Sequence, residues 1–259
     1  MRLIKILPIL ITLTVCAKIA AQNEATTLAA ADSSANQSPS AEGPTLAAEI
    51  RNLAPDKETT LRGILKIKKT NGETTLYKII SKIIPAPDGW DSIYETSNIN
   101  EKPYQKLIVS HSKNKANHYL LESINNTENH VISNPPPSTA FADSDFSIGD
   151  LGLEFFHWKK QTILKTEMRK SRVCKVLESV PSPEDKNLGY SKVISWIDKE
   201  TLGILIAEAY DNTGKKIKQF EVGSFQKDEN GNWQIHELEI RNLKTKTKTQ
   251  LIFQTTNTQ

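Results

Sequence analysis

Cysteine is scarce in this chain of 259 residues, which contains two, Cys16 and Cys174. Neither lies in a C-x-x-C pair, and neither stands at metal-ligand spacing from a histidine. Cys16 falls in an N-terminal leader that we expect to be removed, which leaves one thiol and no internal disulfide. The folded state must therefore be stabilised by an ordinary apolar core.

Sequence motifs of catalysis are also missing. The five histidines include no H-E-x-x-H motif, and the chain has neither a G-x-S-x-G motif nor a glycine-rich phosphate loop. Asp145, Asp150 and Glu154 are explained more simply as caps and first-turn acids of a helix than as acid–base catalysts. Cys174 lies within an apolar strand, where a buried thiol is usually inert. We predict that the protein is not an enzyme and has no metal site and no cofactor.

Apolar runs are short. The longest, at residues 6–17, has about 12 residues, whereas a membrane-spanning helix needs roughly 18. A short basic segment precedes this run and small residues follow it, which is typical of a secretory signal peptide. We predict a signal peptide at 1–21, cleavage after Ala21 and export to the periplasm. Cys16 leaves a lipidated N-terminus as the alternative, although Val15 stands where the lipoprotein peptidase prefers Gly, Ala or Ser.

Excess positive charge is lost with this leader. Residues 1–21 carry three basic residues and no acid, so the formal net charge falls from +3 to zero in the mature chain. The sequence pI of 8.7 therefore overstates the basicity. No strong electrostatic footprint for nucleic acid remains, and no nucleic-acid partner is expected.

Aromatic residues are absent from residues 22–44, which are dominated by Ala, Ser, Thr, Asn and Gln. Such a segment cannot bury enough apolar surface to offset its ordering entropy, so we predict a flexible linker. The folded domain is then expected at 45–259. Its first element is a predicted helix at 45–53, with Thr45 as the N-cap.

What the chain does contain is a series of strand-like segments separated by short polar breaks. Six of them form a ladder that begins at Gln161 and runs almost to the C-terminus, at 172–180, 190–198, 204–211, 215–225, 233–241 and 247–253. Five weaker ones precede them, at 60–68, 74–84, 90–96, 105–111 and 118–123, and 129–132 is a further candidate. Short breaks favour hairpins, so the chain is predicted to be mainly β with few helices, as one antiparallel sheet of about 11 strands. A sheet of that size tends to curl.

A second helix is predicted at residues 143–159, between the two sets of strands. Ser144 or Asp145 would cap it, and an apolar stripe recurs at helical spacing through Ile148, Leu151, Phe155 and Trp158. This stripe needs an apolar partner. We therefore predict an unclosed half-barrel whose concave face is covered by the helices.

The residues now resemble a known family. Ser144-Asp145-Phe146-Ser147, followed by Asp150-Leu151, is similar to the S-D-F-S-x-x-D-L stretch of bacterial outer-membrane lipoprotein-sorting proteins. Further matches follow in order: Cys174-x-Val176-Leu177-Glu178, Tyr190, Trp196-Ile197-Asp198, Tyr210-Asp211-x-x-Gly214-Lys215, Gly231-x-Trp233 and Glu239-Ile240-Arg241-Asn242 with Thr245 and Thr249. The resemblance spans roughly residues 45–255 and is densest in the second half.

This LolA-like resemblance implies a periplasmic protein with an unclosed β-barrel, helices across its mouth and an apolar cavity. Relatives carry lipoproteins between membranes or sense mislocalised lipoproteins. The candidates for the cavity and its lid are apolar and aromatic residues: Leu151, Phe155, Trp158, Trp90, Trp196 and Trp233. A solid core and a partly hollow core both require this apolar face, so the sequence leaves both open.

Two functions are consistent with these observations. The first is a periplasmic protein that binds lipoproteins or other acylated molecules and takes part in their sorting, with a membrane-associated donor or receptor protein as a further partner. The second is a sensor or scaffold of the same fold that binds an envelope protein and transports nothing. An apolar cavity of several hundred cubic ångströms favours the first function.

Overall fold

The computed structural model describes residues 39–113, 115–124, 129–185, 188–227 and 233–254. Side chains are described from residue 41 onward, except that of Trp233. The predicted signal peptide and linker residues 22–38 lie outside the described residues. As expected from the sequence, the chain is mainly β with few helices.

A single antiparallel sheet forms the body of the molecule and has thirteen strands among the described residues. They are β1 (Thr59–Lys68), β2 (Thr74–Ala86), β3 (Gly89–Ser97), β4 (Pro103–Ser112), β5 (His118–Ile124), β6 (Asn129–Ser133), β7 (Lys160–Arg169), β8 (Arg172–Val180), β9 (Lys192–Asp198), β10 (Ile204–Tyr210), β11 (Lys216–Lys227), β12 (Trp233–Asn242) and β13 (Thr247–Phe253).

The sheet consists of two meanders, which are joined where the first strand pairs with the last. Strands β1 to β6 pair in sequence, strands β7 to β13 pair in sequence, and β1 pairs with β13. The sheet is not closed into a barrel, because β6 and β7 stand at its opposite edges and are not paired in the described part of the chain. The apolar core crosses the junction without a break, as Leu65, Leu251 and Leu238 are aligned across β1, β13 and β12 and are each at most 1% exposed.

The described residues form thirteen strands rather than about 11, and the two beyond the predicted number lie at the edges of the sheet: β6, which was the further candidate at 129–132, and β7. Every residue of β6 is exposed, and in β7 Gln161 is the one buried residue. Edge strands bury little apolar surface and often carry polar or charged side chains. Their sequences therefore lack the apolar alternation by which the other eleven strands were recognised.

The first helix, α1, spans Pro39–Arg51 rather than 45–53. Thr45 is not its N-cap, because its hydroxyl donates to the carbonyl oxygen of Ala41 at 2.8 Å from within the helix. The predicted apolar face is correct at Leu46 and Ile50, which are buried. The helix packs on β7, and its Glu42 forms an ion pair with Lys175 of β8 at 2.6 Å.

Gly43 allows α1 to approach β7 closely. A Cβ atom at this position would lie 2.3 Å from the carbonyl oxygen of Gln161. Exchange of a helical Gly for Ala normally stabilises by roughly 0.5–1 kcal/mol, but here we expect Gly43→Ala to lower the free energy of unfolding by about 1–3 kcal/mol through overpacking. Chemical denaturation will measure this, with Glu49→Ala on the exposed face of α1 as the control. A stabilised Gly43→Ala variant would contradict the close packing.

The predicted helix at 143–159 is wrong as a continuous element. The structure has one turn of helix, α2 (Ile148–Leu151), and a separate 3₁₀ helix at Glu154–His157. Positive φ angles at Ala142, Asp143 and Leu153 interrupt the helical path on both sides of α2. The N-cap is Ser147 rather than Ser144 or Asp145. No helix within the described ranges is both long and apolar enough to cross a membrane.

A smaller apolar cluster lies on the other face of the sheet. It consists of Cys174, Val176, Trp196 and Leu205, from β8, β9 and β10. Cys174 is fully buried there, and burial raises the pKa of its thiol to about 11. This agrees with the prediction that Cys174 is an inert core residue.

Candidate functional site

Residues 134–159 connect β6 to β7, which are the two opposite edges of the sheet. We call this segment the crossover. It carries α2, the 3₁₀ helix and the motif residues 144–147. Three carboxylates, Asp145, Asp150 and Glu154, attach it to strands of both halves of the sheet.

Asp145 attaches the crossover to β13. Its carboxylate accepts a hydrogen bond from the hydroxyl of Thr249 at 2.9 Å and another from that of Thr247. Its own backbone N–H donates to the Thr249 hydroxyl at 3.0 Å. Thr249 is fully buried, so this contact lies inside the molecule rather than on its rim.

Asp150 has two structural roles. In a capping box, it accepts from the backbone N–H of Ser147 at 2.9 Å, while its own N–H donates to the Ser147 hydroxyl at 3.1 Å. Its carboxylate also accepts from the ammonium of Lys218 in β11 at 2.9 Å and from the hydroxyl of Tyr190, which precedes β9, at 3.0 Å. Of the three acids, Asp150 is the one that caps a helix as predicted.

The Asp150–Lys218 pair lies in a low-dielectric environment, with both side chains less than 15% exposed. Burial lowers the pKa of Lys218, but the Asp150 carboxylate and Tyr190 outweigh that effect and raise its pKa above the ordinary value. Burial and then Asp150 raise the pKa of Tyr190 as well. Lys218 is therefore charged and Tyr190 neutral at any physiological pH.

Glu154 is 2% exposed and faces β5. It accepts from the hydroxyl of Tyr119 at 2.7 Å and from the amide of Asn117 at 3.4 Å, and the same amide donates to the carbonyl oxygen of Gly152 at 2.7 Å. Burial, followed by the charge of Glu154, raises the pKa of Tyr119 well above its ordinary value. Glu154 is the first-turn acid of the 3₁₀ helix, which agrees with its predicted structural role, but it is buried against β5 rather than placed on a polar helix face.

An apolar cleft lies between the crossover and strands β9 to β12. The cavity volume inside it is about 40 Å³, so the cleft is narrow and smaller than the several hundred cubic ångströms expected of a preformed acyl cavity. Its walls are Phe146, Leu153 and Phe155 of the crossover and Val193, Ile204, Ala207, Ala209, Phe220 and Ile240 of the strands, with Asp150, Tyr190 and Lys218 also lining it. Ala207 and Ala209, on one side of β10, are small side chains that leave room between larger ones.

The predicted lid residues are all buried on the crossover side of the core. Phe155 lines the cleft, whereas Leu151 and Trp158 pack in the surrounding core. The carbonyl oxygens of Phe155 and Trp158 both accept from the side-chain amide of Gln161, at 2.9 and 2.8 Å, which fixes the end of the crossover to β7.

The three predicted tryptophans do not come together. Trp196 lies in the cluster on the opposite face, where its indole N–H donates to Glu167 at 2.5 Å and Arg169 lies 5.5 Å from the ring. Trp90 lies in the other half of the sheet and stacks on His111, with ring centroids 4.7 Å apart. Trp233 begins β12, and its side chain lies outside the described residues.

Lys218, Ala207 and Ala209 line the cleft but were not predicted from the sequence. Tyr190 and Ile240 were noted in the family resemblance, without a role. A signal for the alanines was their spacing in β10, where Ala207 and Ala209 are two residues apart and therefore lie on the same face of the strand. No signal in the sequence alone placed Lys218 beside Asp150, because this contact depends on the path of the crossover.

His111 provides a pH-dependent contribution to stability. Its Nε2 atom lies 3.2 Å from the hydroxyl of Ser92, and burial lowers its pKa to about 4 from the ordinary 6.5, while a hydrogen bond with Asn117 opposes this shift in part. The folded state therefore favours neutral histidine. The associated stability is complete above pH 6.5 and is lost as the pH falls towards 4.

We expect His111→Phe to reduce this pH dependence, because phenylalanine can still stack on Trp90 but does not titrate. Between pH 7 and 4, the unfolding free energy of the wild type should fall by about 2–3 kcal/mol more than that of the variant. Urea denaturation at several pH values gives both curves, and titrations common to the two proteins cancel in the difference. Parallel curves would show that His111 is not buried in its neutral form.

Among the described residues, no group of three or more His, Cys, Asp or Glu side chains is arranged to hold a metal ion.

Comparison with known proteins assigns the chain to a family. A family model described as "-like: Uncharacterized protein" matches residues 106–259, which is more than half of the chain. None of the curated proteins matches the sequence significantly.

Several solved structures share the fold at low sequence identity. A putative outer membrane lipoprotein-sorting protein domain from Vibrio parahaemolyticus is 21% identical, with a TM-score of 0.68 over 83% of this chain and 91% of that chain. A DUF1329 family protein from Desulfovibrio piger is 17% identical, with a TM-score of 0.69 over 84% and 92%. The LolA superfamily protein NE2245 from Nitrosomonas europaea is 16% identical, with a TM-score of 0.58 over 84% and 92%.

These matches confirm the resemblance noted in the sequence. The chain belongs to the family that the matching model describes, and its fold is the LolA-like fold of the lipoprotein-sorting and LolA superfamily structures.

Proposed function

We propose that the protein binds acylated molecules, with lipoproteins as the first candidates, and holds an acyl chain in the cleft between the crossover and β9 to β12. The observation that carries this proposal is the composition of the cleft walls. Nine of the twelve residues around it are apolar, and the remaining three are the buried group Asp150, Lys218 and Tyr190. An apolar ligand with one polar end matches such a lining.

The energy available from this binding is sufficient to hold cargo in water. Burial of an acyl chain contributes about 0.8 kcal/mol per methylene, so a chain of 16 carbons contributes on the order of 12 kcal/mol. Part of that energy is consumed in moving the crossover, because the cleft is too narrow for an acyl chain as it stands. The helical pieces of the crossover are short, so Phe155 can shift without displacing a long helix, at the cost of some of the crossover's buried contacts.

Within this proposal, the predicted lid residues have different roles. Phe155 contacts the acyl chain directly, as it lines the cleft. Leu151 and Trp158 hold the crossover in the core and move with it. Trp196 faces away from the cleft and has no part in the proposed site.

The proposed location is the periplasm, after removal of the predicted signal peptide. The proposed partners are an acylated cargo and a membrane-associated protein that delivers or receives it. Support comes from the fold shared with a protein described as an outer membrane lipoprotein-sorting domain.

Native mass spectrometry of the protein purified from its own envelope fraction tests the proposal. We expect a population with a bound lipid or acylated peptide that is displaced by an added long-chain fatty acid. Protein that is always free of ligand, and that does not take up added fatty acid, would instead favour the scaffold that binds a protein partner.

A further inference from the structure

A second pocket lies on the surface at one end of the sheet. It is formed by the turns that join β8 to β9, β10 to β11 and β12 to β13, and its lining includes Ser191, Asn212 and Lys244. Its empty volume is about 1020 Å³, including space open to solvent. We call this surface pocket the mouth.

The mouth begins where the apolar cleft ends. Along β10, Ala209 lines the cleft, and Asp211, two residues further on, lines the mouth. Tyr190 lines both. The Tyr190 side chain is 8% exposed and separates the apolar cleft from the polar mouth.

Tyr190 is held in place by the buried ion pair. Its hydroxyl donates to Asp150 at 3.0 Å, and the Lys218 ammonium lies 5.2 Å from the centre of its ring. A buried ion pair contributes little net stability compared with apolar residues of similar size. Stability alone therefore does not account for an ion pair at the end of an apolar cleft. Charged groups do suit a contact that opens to solvent, because water hydrates Asp150 and Lys218 once the contact is open.

We propose that the acyl chain passes between solvent and cleft through the mouth, and that Tyr190 is the gate, held closed by Asp150 and Lys218. This inference rests on the proposed function. When the gate opens, the charged groups are hydrated at the mouth instead of being left in an apolar wall. The polar end of the ligand, an ester or amide of an acylated molecule, stays in the mouth, where Lys244 and Asn212 supply hydrogen-bond donors.

Stopped-flow fluorescence with cis-parinaric acid, a naturally fluorescent fatty acid, tests the gate on the full chain. Tyr190→Phe keeps the ring but removes the hydrogen bond to Asp150, so we expect association and dissociation both to accelerate, by at least about fivefold. Tyr210→Phe is the matched control, because its hydroxyl also donates to a carboxylate, Glu208 at 2.6 Å, at the same end of β10 but outside the cleft. The control should retain the wild-type rates.

Blocking the mouth gives a second measurement that does not depend on Tyr190. A bulky maleimide on Asn212→Cys, which is exposed in the mouth, should slow association several-fold. The same label on Lys199→Cys, exposed at the other end of β9 and β10, should not. The native Cys174 is fully buried and should not be labelled in the folded protein.

The outcomes separate the two proposals. If the wild type does not bind the probe, the proposed function fails and the gate fails with it. If the wild type binds but neither Tyr190→Phe nor the blocked mouth changes the rates relative to their controls, acyl binding stands and the access route is overturned. Faster exchange in Tyr190→Phe together with slower association through the blocked mouth supports the gate.

Discussion

Replacement of Ala207 by Phe is expected to reduce the affinity for a long-chain fatty acid by at least about tenfold, because a phenyl ring in the cleft removes at least 1.4 kcal/mol of binding energy. Ala207 lies on the cleft side of β10, opposite Phe220 and Ser195 in the neighbouring strands. Its methyl group is one of the small features that leave the cleft open. A side chain of seven carbons at this position would occupy the space proposed for the ligand.

The matched control is Ile206→Phe on the same strand. Ile206 is opposite Trp196 and packs against the cluster on the other face of the sheet. The substitution Ile206→Phe therefore enlarges a side chain that does not enter the cleft. Both substitutions overpack and are expected to cost about 1–3 kcal/mol of stability, which leaves a folded protein to assay. Fluorescence titration with cis-parinaric acid measures the affinities. Equal affinities of the two variants would show that acyl chains do not bind beside Ala207.

Asp150→Ala is expected to be the most destabilising of the single substitutions considered, with a loss of about 3–5 kcal/mol in the free energy of unfolding. The substitution leaves the Lys218 ammonium buried without its carboxylate. It also removes the acceptor for Tyr190 and the side-chain half of the capping box that begins α2. Chemical denaturation with a circular dichroism signal measures the loss.

Two comparisons make this prediction specific. Glu73→Ala removes one partner of the ion pair with Lys69, in which both side chains are about half exposed, and should change stability by less than about 1 kcal/mol. Lys218→Met added to Asp150→Ala should recover part of the loss, because the uncompensated buried charge is then gone. An Asp150→Ala variant as stable as Glu73→Ala, or a double variant less stable than Asp150→Ala, would contradict a buried, coupled pair.

Most of the sheet could be predicted from the sequence, because inner strands carry a strong local signal. β-branched and aromatic residues separated by short polar turns identified eleven strands and their antiparallel pairing. The pairing of β1 with β13 is different, since it joins residues almost 190 positions apart, such as Leu65 and Leu251, and no local pattern encodes it. The edge strands β6 and β7 were hard to recognise for a different reason, because an edge strand needs no apolar alternation.

The crossover shows why correct spacing can still give the wrong element. Ile148, Leu151, Phe155 and Trp158 are all at most 5% exposed, so the apolar pattern correctly predicted burial. Buried residues at helical spacing do not require a helix when the chain makes close contacts instead. At Gly152, a Cβ atom would lie 2.2 Å from the hydroxyl of Tyr119. The glycine therefore serves the packing of the crossover on β5 rather than the helix.

The site was predicted only in part, for a related reason. Apolar character identified Phe155, but the residues opposite it come from strands whose proximity depends on the complete topology. Polar groups were the hardest to predict, since Asp145, Asp150 and Glu154 look like surface acids until their partners Thr249, Lys218 and Tyr119 are known. The family resemblance supplied one of these partners, Thr249, and also Tyr190, the second partner of Asp150, by identity but not by role.

Photo-crosslinking with a palmitate analogue that carries a diazirine near its methyl end tests the central claim most directly, as peptide mass spectrometry then shows which side chains touched the chain. A ligand seated beside Phe155, Val193, Phe220 or Ile240 will label those residues, and unlabelled palmitate will suppress the reaction. Labelling confined to the opposite face around Trp196, or labelling that excess palmitate leaves unchanged, would show that the space under the crossover does not hold acyl chains.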